Sequence, residues 1–387
     1  MSASTPWGFF AHKEINRLAV FTLPAEMMPV YKKNIEHITS QSIGPDMRRF
    51  ASSKEGIRHY IDADHWGETP FEDMPRQWSA AILKFADFYV VNGNDSLLIR
   101  SVNHKLLPKK LVINSPELVN VDSLDLIFRR NYGWQLYDKS WSFPIDSIAN
   151  YIAYDGPYQS LRIKDRFSSF GIAPYNLMDV HNRLTRAFEE HDLRKILRYS
   201  ADIGHYMADS HVPLHTSENY NGQMTNQVGI HAFWESRLPE LFANEEYDYF
   251  VGQADYIKDM ESYVWEVIEH THSHLEAVLS IEKYLKETFP SDLQFCFEER
   301  NEKTKRMQCR EFSKAFHDAM DGMVESQMRK AIKAVGDLWL SAWVLAGQPD
   351  MEKIANEYKM SDEELAELEE LRKQAREGAI KGRDHVN

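Results

Sequence analysis

The stretch YSADIGHYMADSHVPLHTSENYNG (199–222) gathers side chains able to bind a metal. His205 and Asp209 lie four apart, so on a helix they share one face about one turn apart. His211 comes two residues after Asp209 and points to the other side. Pro213 ends the helix and frees His215 to turn back towards the same centre. In GIHAFWESRL, His231 and Glu235 repeat the four-residue spacing. A single such pair reads as a surface contact between adjacent turns. Two pairs, joined by a histidine placed by a Pro-broken helix, give the donor set that nitrogen- and oxygen-ligated zinc requires.

Three further motifs stand nearer the N-terminus: WGFFAH (7–12), GPDMRR (44–49) and RHYIDAD (58–64). Taken singly, Trp7 reads as core, Asp46 as a helix cap and His59 as an interior histidine. Together with the central motif they form an ordered series, and in this the chain resembles the superfamily joining bacterial zinc-dependent phospholipases C to fungal single-strand nucleases. That family's ligands run Trp, His, Asp, His, then H-x3-D-x5-H, then H-x3-D/E. Trp7, His12, Asp46, His59, His205, Asp209, His215, His231 and Glu235 fill those slots in order.

The resemblance implies an all-α, multi-helix bundle with three zinc ions at the bottom of a cleft. Asp46, His59, His205 and Asp209 would hold one ion. Asp209 would bridge to a second, shared with His12 and Trp7, and His215, His231 and Glu235 would hold the third. The implied activity is hydrolysis of a phosphodiester by metal-activated water, with Asp46, Arg49 and Asp209 as the catalytic set. Arg49, on the same side of its turn as Asp46, matches the family's phosphate contact. Tyr60 is expected to stack against substrate. Asp202, three residues before His205, is expected to accept that imidazole's second N–H.

Two features depart from the family pattern. Six residues precede Trp7, whose amide nitrogen is a poor ligand where the family uses a free amine, so the expected load is two zinc ions unless the chain is processed to Trp7. The gap from His59 to His205 is also long. The substrate signals conflict: the WGFFAH spacing, the D-x-x-R motif and Tyr60 resemble the nuclease branch, Glu235 and the short His215–His231 gap the phospholipase branch. The alternative is a non-catalytic zinc-binding or interaction module on the same fold.

Composition narrows the setting. Forty-five Lys+Arg against 59 Asp+Glu give a net charge of −14, which argues against stable binding to duplex DNA. Hydrophobic residues at 43% and aromatics at 12% exclude global disorder. No apolar stretch is long enough for a transmembrane segment. The only two cysteines, Cys296 and Cys309, exclude a cysteine-rich zinc module and sit in a charged stretch that reads as a surface loop, closed by a disulfide if the protein is exported. Met1 to Pro6 carry no secretion signal; a secreted or periplasmic location is expected for a chain whose signal has been removed.

Helix-period patterns cover 9–38, 176–212, 228–244, 254–288 and 312–346. Between 89 and 166 short β-branched and aromatic runs split by Gly, Pro and Asn predict an irregular, partly β insertion, able to wall the cleft. Its aromatics Tyr132, Trp134, Tyr137, Trp141 and Phe143 are candidates to stack a base or meet an acyl chain. The reading is therefore a discontinuous helical domain (1–88 and 167–349), the insertion (89–166), and a charged tail (350–387) with a capping box at Ser361 and Glu364. His270, His272 and His274 alternate along a helix and read as a solvated stripe. His181, His191 and His317 read as surface residues.

Overall fold

The structure is a computed structural model that describes residues 9–49, 52–100, 124–125, 128, 139–148, 157–300 and 303–357. Trp7, Tyr132, Trp134, Tyr137 and the 361–364 capping box lie outside the described residues.

Seven helices frame the site: α1 (Phe9–Ala19), α2 (Ala173–Glu189), α3 (Leu193–Asp209), α4 (Met260–His272), α5 (Leu275–Thr288), α6 (Arg310–Ala319) and α7 (Met323–Leu345). Their starts are written locally. The Asp192 side chain accepts from the Lys195 backbone N–H at 3.1 Å, and Asp259 caps α4 through the Ser262 N–H at 3.0 Å. Pro174 occupies the first turn of α2, where its missing N–H costs nothing. Apolar residues of α1, α2, α3 and α7 form one core around the buried Trp339, whose Nε1–H donates to Ser200 O at 3.0 Å. A second core joins Phe233, Leu238 and Phe242 to Val278 of α5 and to Phe312 and Phe316 of α6.

Within the first core, α1 and α3 approach so closely that a Cβ at Gly204 would lie 2.1 Å from Asn16 Oδ1. Glycine weakens a helix interior. Here it permits the contact that stacks the His12 ring on His205 at 3.9 Å between centroids.

The helical expectation holds for the body of the chain, with interruptions. The 9–38 pattern breaks near Pro24, where the chain turns before the short helices Met28–Lys33 and Ile35–Gln41. The 254–288 pattern divides into α4 and α5, with residues 254–257 outside any helix.

Two β regions stand beside the helices, one where strands were expected and one where a loop was. The described part of the insertion is an ordered antiparallel sheet, β1 (Asp87–Asn92), β2 (Asp95–Arg100), β3 (Ser140–Pro144) and β4 (Ser160–Lys164), in the order β2-β1-β4-β3. Gly93, at φ +59°, supplies the left-handed turn between Asn92 and its partner Asp95. Trp141 and Phe143 alternate inward with Leu161 and Ile163 of β4, so these aromatics fill the sheet's own core and are not available to stack a substrate. The stretch around the cysteines is not a loop but a hairpin, β5 (Phe295–Arg300) and β6 (Lys303–Gln308), joined to the start of α6 by the Cys296–Cys309 disulfide.

Two histidines expected at the surface are buried. His181 falls on the Leu177, Leu184 and Phe188 side of α2, which packs into the first core, and is 2% exposed. His317 accepts or donates at 2.8 Å to the Tyr247 hydroxyl. His191 is exposed, as expected, and so is His270, which stands beside His274 with their Nε2 atoms 3.3 Å apart. Among the described residues, no helix is long and apolar enough to cross a membrane.

Candidate metal centre

The C-terminal turn of α3 brings His205 and Asp209 to one face, as their spacing predicts. Asp209 is the hub. Its Oδ2 lies 2.8 Å from His59 Nδ1 and 3.3 Å from His205 Nε2, and its Oδ1 lies 3.4 Å from His12 Nε2 and 3.8 Å from His215 Nδ1. Asp46, on the short helix Gly44–Arg49, places Oδ1 3.9 Å from His59 Nδ1 and 4.0 Å from His205 Nε2. After Asp209 the helix stops, and a 3-10 turn over Pro213–Thr216 returns His215 to the centre. There it meets Glu235 Oε2 at 3.3 Å, which is also 2.6 Å from His231 Nε2.

Three sets of donor atoms thus converge: His12, His205 and Asp209; Asp46, His59 and His205; His215, His231 and Glu235. Every expected ligand within the described residues belongs to one of these sets. His211 does not, and its Nδ1–H donates back to Met207 O at 2.8 Å.

The hydrogen bonds behind the ligands set which nitrogen faces inward. His205, His215 and His231 donate Nδ1–H to the carbonyls of Ser42, His59 and Tyr220 at 2.7, 2.7 and 3.1 Å. A carbonyl can only accept, so each Nδ1 carries a proton, and in its neutral form each ring presents an Nε2 lone pair to the centre. The Nε2 atoms of His215 and His231 then face one another at 3.1 Å beside Glu235 Oε2, so the three share one positive charge, a proton or a metal ion in its place. With nitrogen and carboxylate donors and no thiolate, each set could hold a divalent metal ion.

Electrostatics points the same way. Burial would push the Asp209 and Glu235 carboxyls up, yet the neighbouring imidazoles outweigh it and hold both well below the ordinary range. Burial alone would lower His215, but Asp209 and Glu235 carry it up to about 9. The carboxylates therefore stay ionised and available as ligands at neutral pH.

Asp202 is a correction. It lies three residues before His205 but does not support that ring, whose Nδ1–H goes to Ser42 O. Asp202 instead accepts from Arg48 at 3.1 Å. Arg48 also reaches the Tyr206 hydroxyl at 3.3 Å and Glu55 at 3.5 Å. This network ties the helix bearing Asp46 to α3, and neither Arg48 nor Glu55 was singled out from the sequence.

The donor sets open into a cleft of about 770 Å³. Arg49 lines it, half exposed, with Nη1 3.3 Å from Asp46 Oδ1. Tyr60 lines it too, its hydroxyl donating to Ser169 O at 3.1 Å. Gly171, at φ +91°, lets the chain pass against the Tyr60 carbonyl, where a Cβ would sit 2.1 Å away. Sequence reasoning missed Asp62, Phe170, Glu218, Tyr220 and Gln223 on the walls. Tyr220 stood in the quoted HTSENYNG run, but only the returning loop shows that it faces His231. No described residue of 89–166 lines the cleft; the nearest in sequence are Ser169 and Phe170, just beyond it.

No family model, curated protein or solved structure matches the chain.

Proposed function

We propose that this chain is a zinc-dependent hydrolase of phosphodiesters, related to the phospholipases C and single-strand nucleases whose ligand pattern it resembles. The observation that carries the reading is the convergence of three ligand sets at one cleft. Asp46, His59, His205 and Asp209 would hold one ion, His12 and Asp209 part of a second, and His215, His231 and Glu235 a third; the Trp7 contribution lies outside the described residues.

The charge of the cleft supports a metal-dependent role. Asp46, Asp62, Asp209, Glu218 and Glu235 line it against a single Arg or Lys, Arg49, so the carboxyl groups of its walls outnumber the side chains that could hold an anion without metal. Held by these residues, zinc would oppose that charge, lower the pKa of a bound water towards neutrality and offset charge on phosphoryl oxygens. The chain's own work is placement. Arg49 orients a non-bridging phosphate oxygen with its guanidinium fork. Tyr60, Phe170 and Tyr220 offer aromatic surface to whatever the phosphate carries. The Cys296–Cys309 bridge fits an exported protein.

The test is zinc content per chain, before and after trimming to Trp7, together with turnover of bis-nitrophenyl phosphate, phosphatidylcholine and single-stranded DNA. We expect about three zinc ions with a free Trp7 and about two without it, by the ligand argument above. We also expect hydrolysis of the small diester; the lipid or the DNA then identifies the branch. A chain that loads zinc and turns over none of the three would favour a non-catalytic module.

A further inference from the structure

Another cavity, of about 400 Å³, lies between α4 and α7 and shares no lining residue with the cleft. Arg329, Lys330 and Lys333 of α7 and His270 of α4 line it. Two of the three cations are already engaged. Arg329 donates to Phe250 O at 2.9 Å, and Lys333 pairs with Asp255 at 2.8 Å. Lys330 differs: among the described residues its ammonium meets no carboxylate and instead lies in hydrogen-bond contact with His270 Nε2.

An ammonium carries donors only, so His270 Nε2 is the acceptor and its lone pair faces this gap. His274, four residues on at the start of α5, sets its own Nε2 3.3 Å from the same atom. Two nitrogens bound 2.0–2.1 Å from one tetrahedral ion stand about 3.3–3.4 Å apart, the separation already present here. Glu266, one turn before His270 on α4, places a carboxylate on the same cavity. Burial and then the Lys330 charge hold His270 below the ordinary imidazole range; burial, His270 and Lys330 do so for His274. Both rings are therefore neutral at pH 7, and each has a lone pair to give.

We propose that His270 and His274 form a metal site separate from the centre, for a divalent ion of the zinc class, with Lys330 as the resident cation that the ion displaces. The site joins the end of α4 to the start of α5. An anion site is the weaker reading, because Lys330 is the one cation of the three without a carboxylate or carbonyl partner.

The experiment titrates the full chain with zinc, read by equilibrium dialysis and by 15N spectra of labelled histidines. The wild-type chain should bind one more zinc than the double variant H270A/H274A. The His270 and His274 Nε2 resonances should move together as that ion binds. Either single variant should weaken it at least about 10-fold. Lys330→Met should tighten it about 5-fold, the effect of removing one unit charge about 4 Å away in water. None of the three side chains is buried, so the variants should keep their helicity. Equal zinc uptake by wild type and double variant would overturn the proposal, as would saturation only at millimolar zinc. Weaker binding in Lys330→Met would also overturn it. The site shares no residue with the centre, so the two readings fail separately. A chain that binds zinc at His270 and His274 alone would defeat the function proposed above and leave this inference standing.

Discussion

The two histidine–carboxylate pairs share a spacing and little else. His205 and Asp209 sit on the last turns of a continuous α-helix, both nearly inaccessible, with Nε2 and Oδ2 3.3 Å apart. His231 and Glu235 cross from a short α turn (Ile230–Ala232) into a π-helix (Phe233–Arg237), are partly exposed, and touch at 2.6 Å. The first pair is braced by the packing of α1, α2 and α7. The second depends on outlying parts. Arg237, 2% exposed and two residues beyond Glu235, pairs with Glu298 and donates to Gln308 O at 2.8 Å, both on the disulfide-closed hairpin, while Phe233 packs on Phe312 and Phe316 of α6. Identical spacing therefore gives one group as stable as the core and one as stable as its peripheral support.

The largest expected effect separates the pairs directly. Asp209→Asn should cost at least ~10³-fold in kcat/KM, about 4 kcal/mol, and remove two ions, because this carboxylate faces His12, His59, His205 and His215. Glu235→Gln should remove one ion and cost less. Kinetics on bis-nitrophenyl phosphate with elemental analysis would show it, and the reverse order would break the allocation of ligands.

His181 sets a buried imidazole with no carboxylate beside it against His215. Burial holds it down to about 4, where His215, flanked by Asp209 and Glu235, is carried up. An unfolded chain would protonate His181 near 6.5, so its neutral burial costs nothing above that pH. As pH falls from 6.5 to 4 the unfolded state takes up the proton first, and stability drops by about 3 kcal/mol. Urea melts at pH 7 and pH 4.5 should show that slope, reduced in His181→Met.

The hairpin tests whether the second group can be lost alone. The double variant C296S/C309S should lower stability by about 2–3 kcal/mol, the entropy of a short closed loop. Zinc bound by His215, His231 and Glu235 should weaken before zinc held by the buried group. Equal losses at both would erase the distinction.

The smallest effect concerns the sheet. Asp87 and Lys164 are paired across β1 and β4, so residues 88–163 can be replaced by a short Gly/Ser turn without separating the flanking chain. If helicity and zinc content are kept, hydrolysis of a small diester should stay within about tenfold, near 1.4 kcal/mol. A larger fall would make the insertion part of the catalytic machinery.

What the sequence determined by itself was local: donor types, four-residue pairs, the helix stop at Pro213 and the long helix-period segments. Spacing encodes these because a helix or strand has a fixed period. Tertiary structure alone decided the partners. Nothing near His205 names Ser42 as the acceptor of its proton, and Asp202, the plausible neighbour, was drawn to Arg48. His181 reads as solvated among charged neighbours until α2 packs against α7. The charged run between the cysteines reads as a loop until β5 and β6 pair. Each of these outcomes depends on which distant segments meet, a matter of packed shape and buried hydrogen-bond balance that no local period carries.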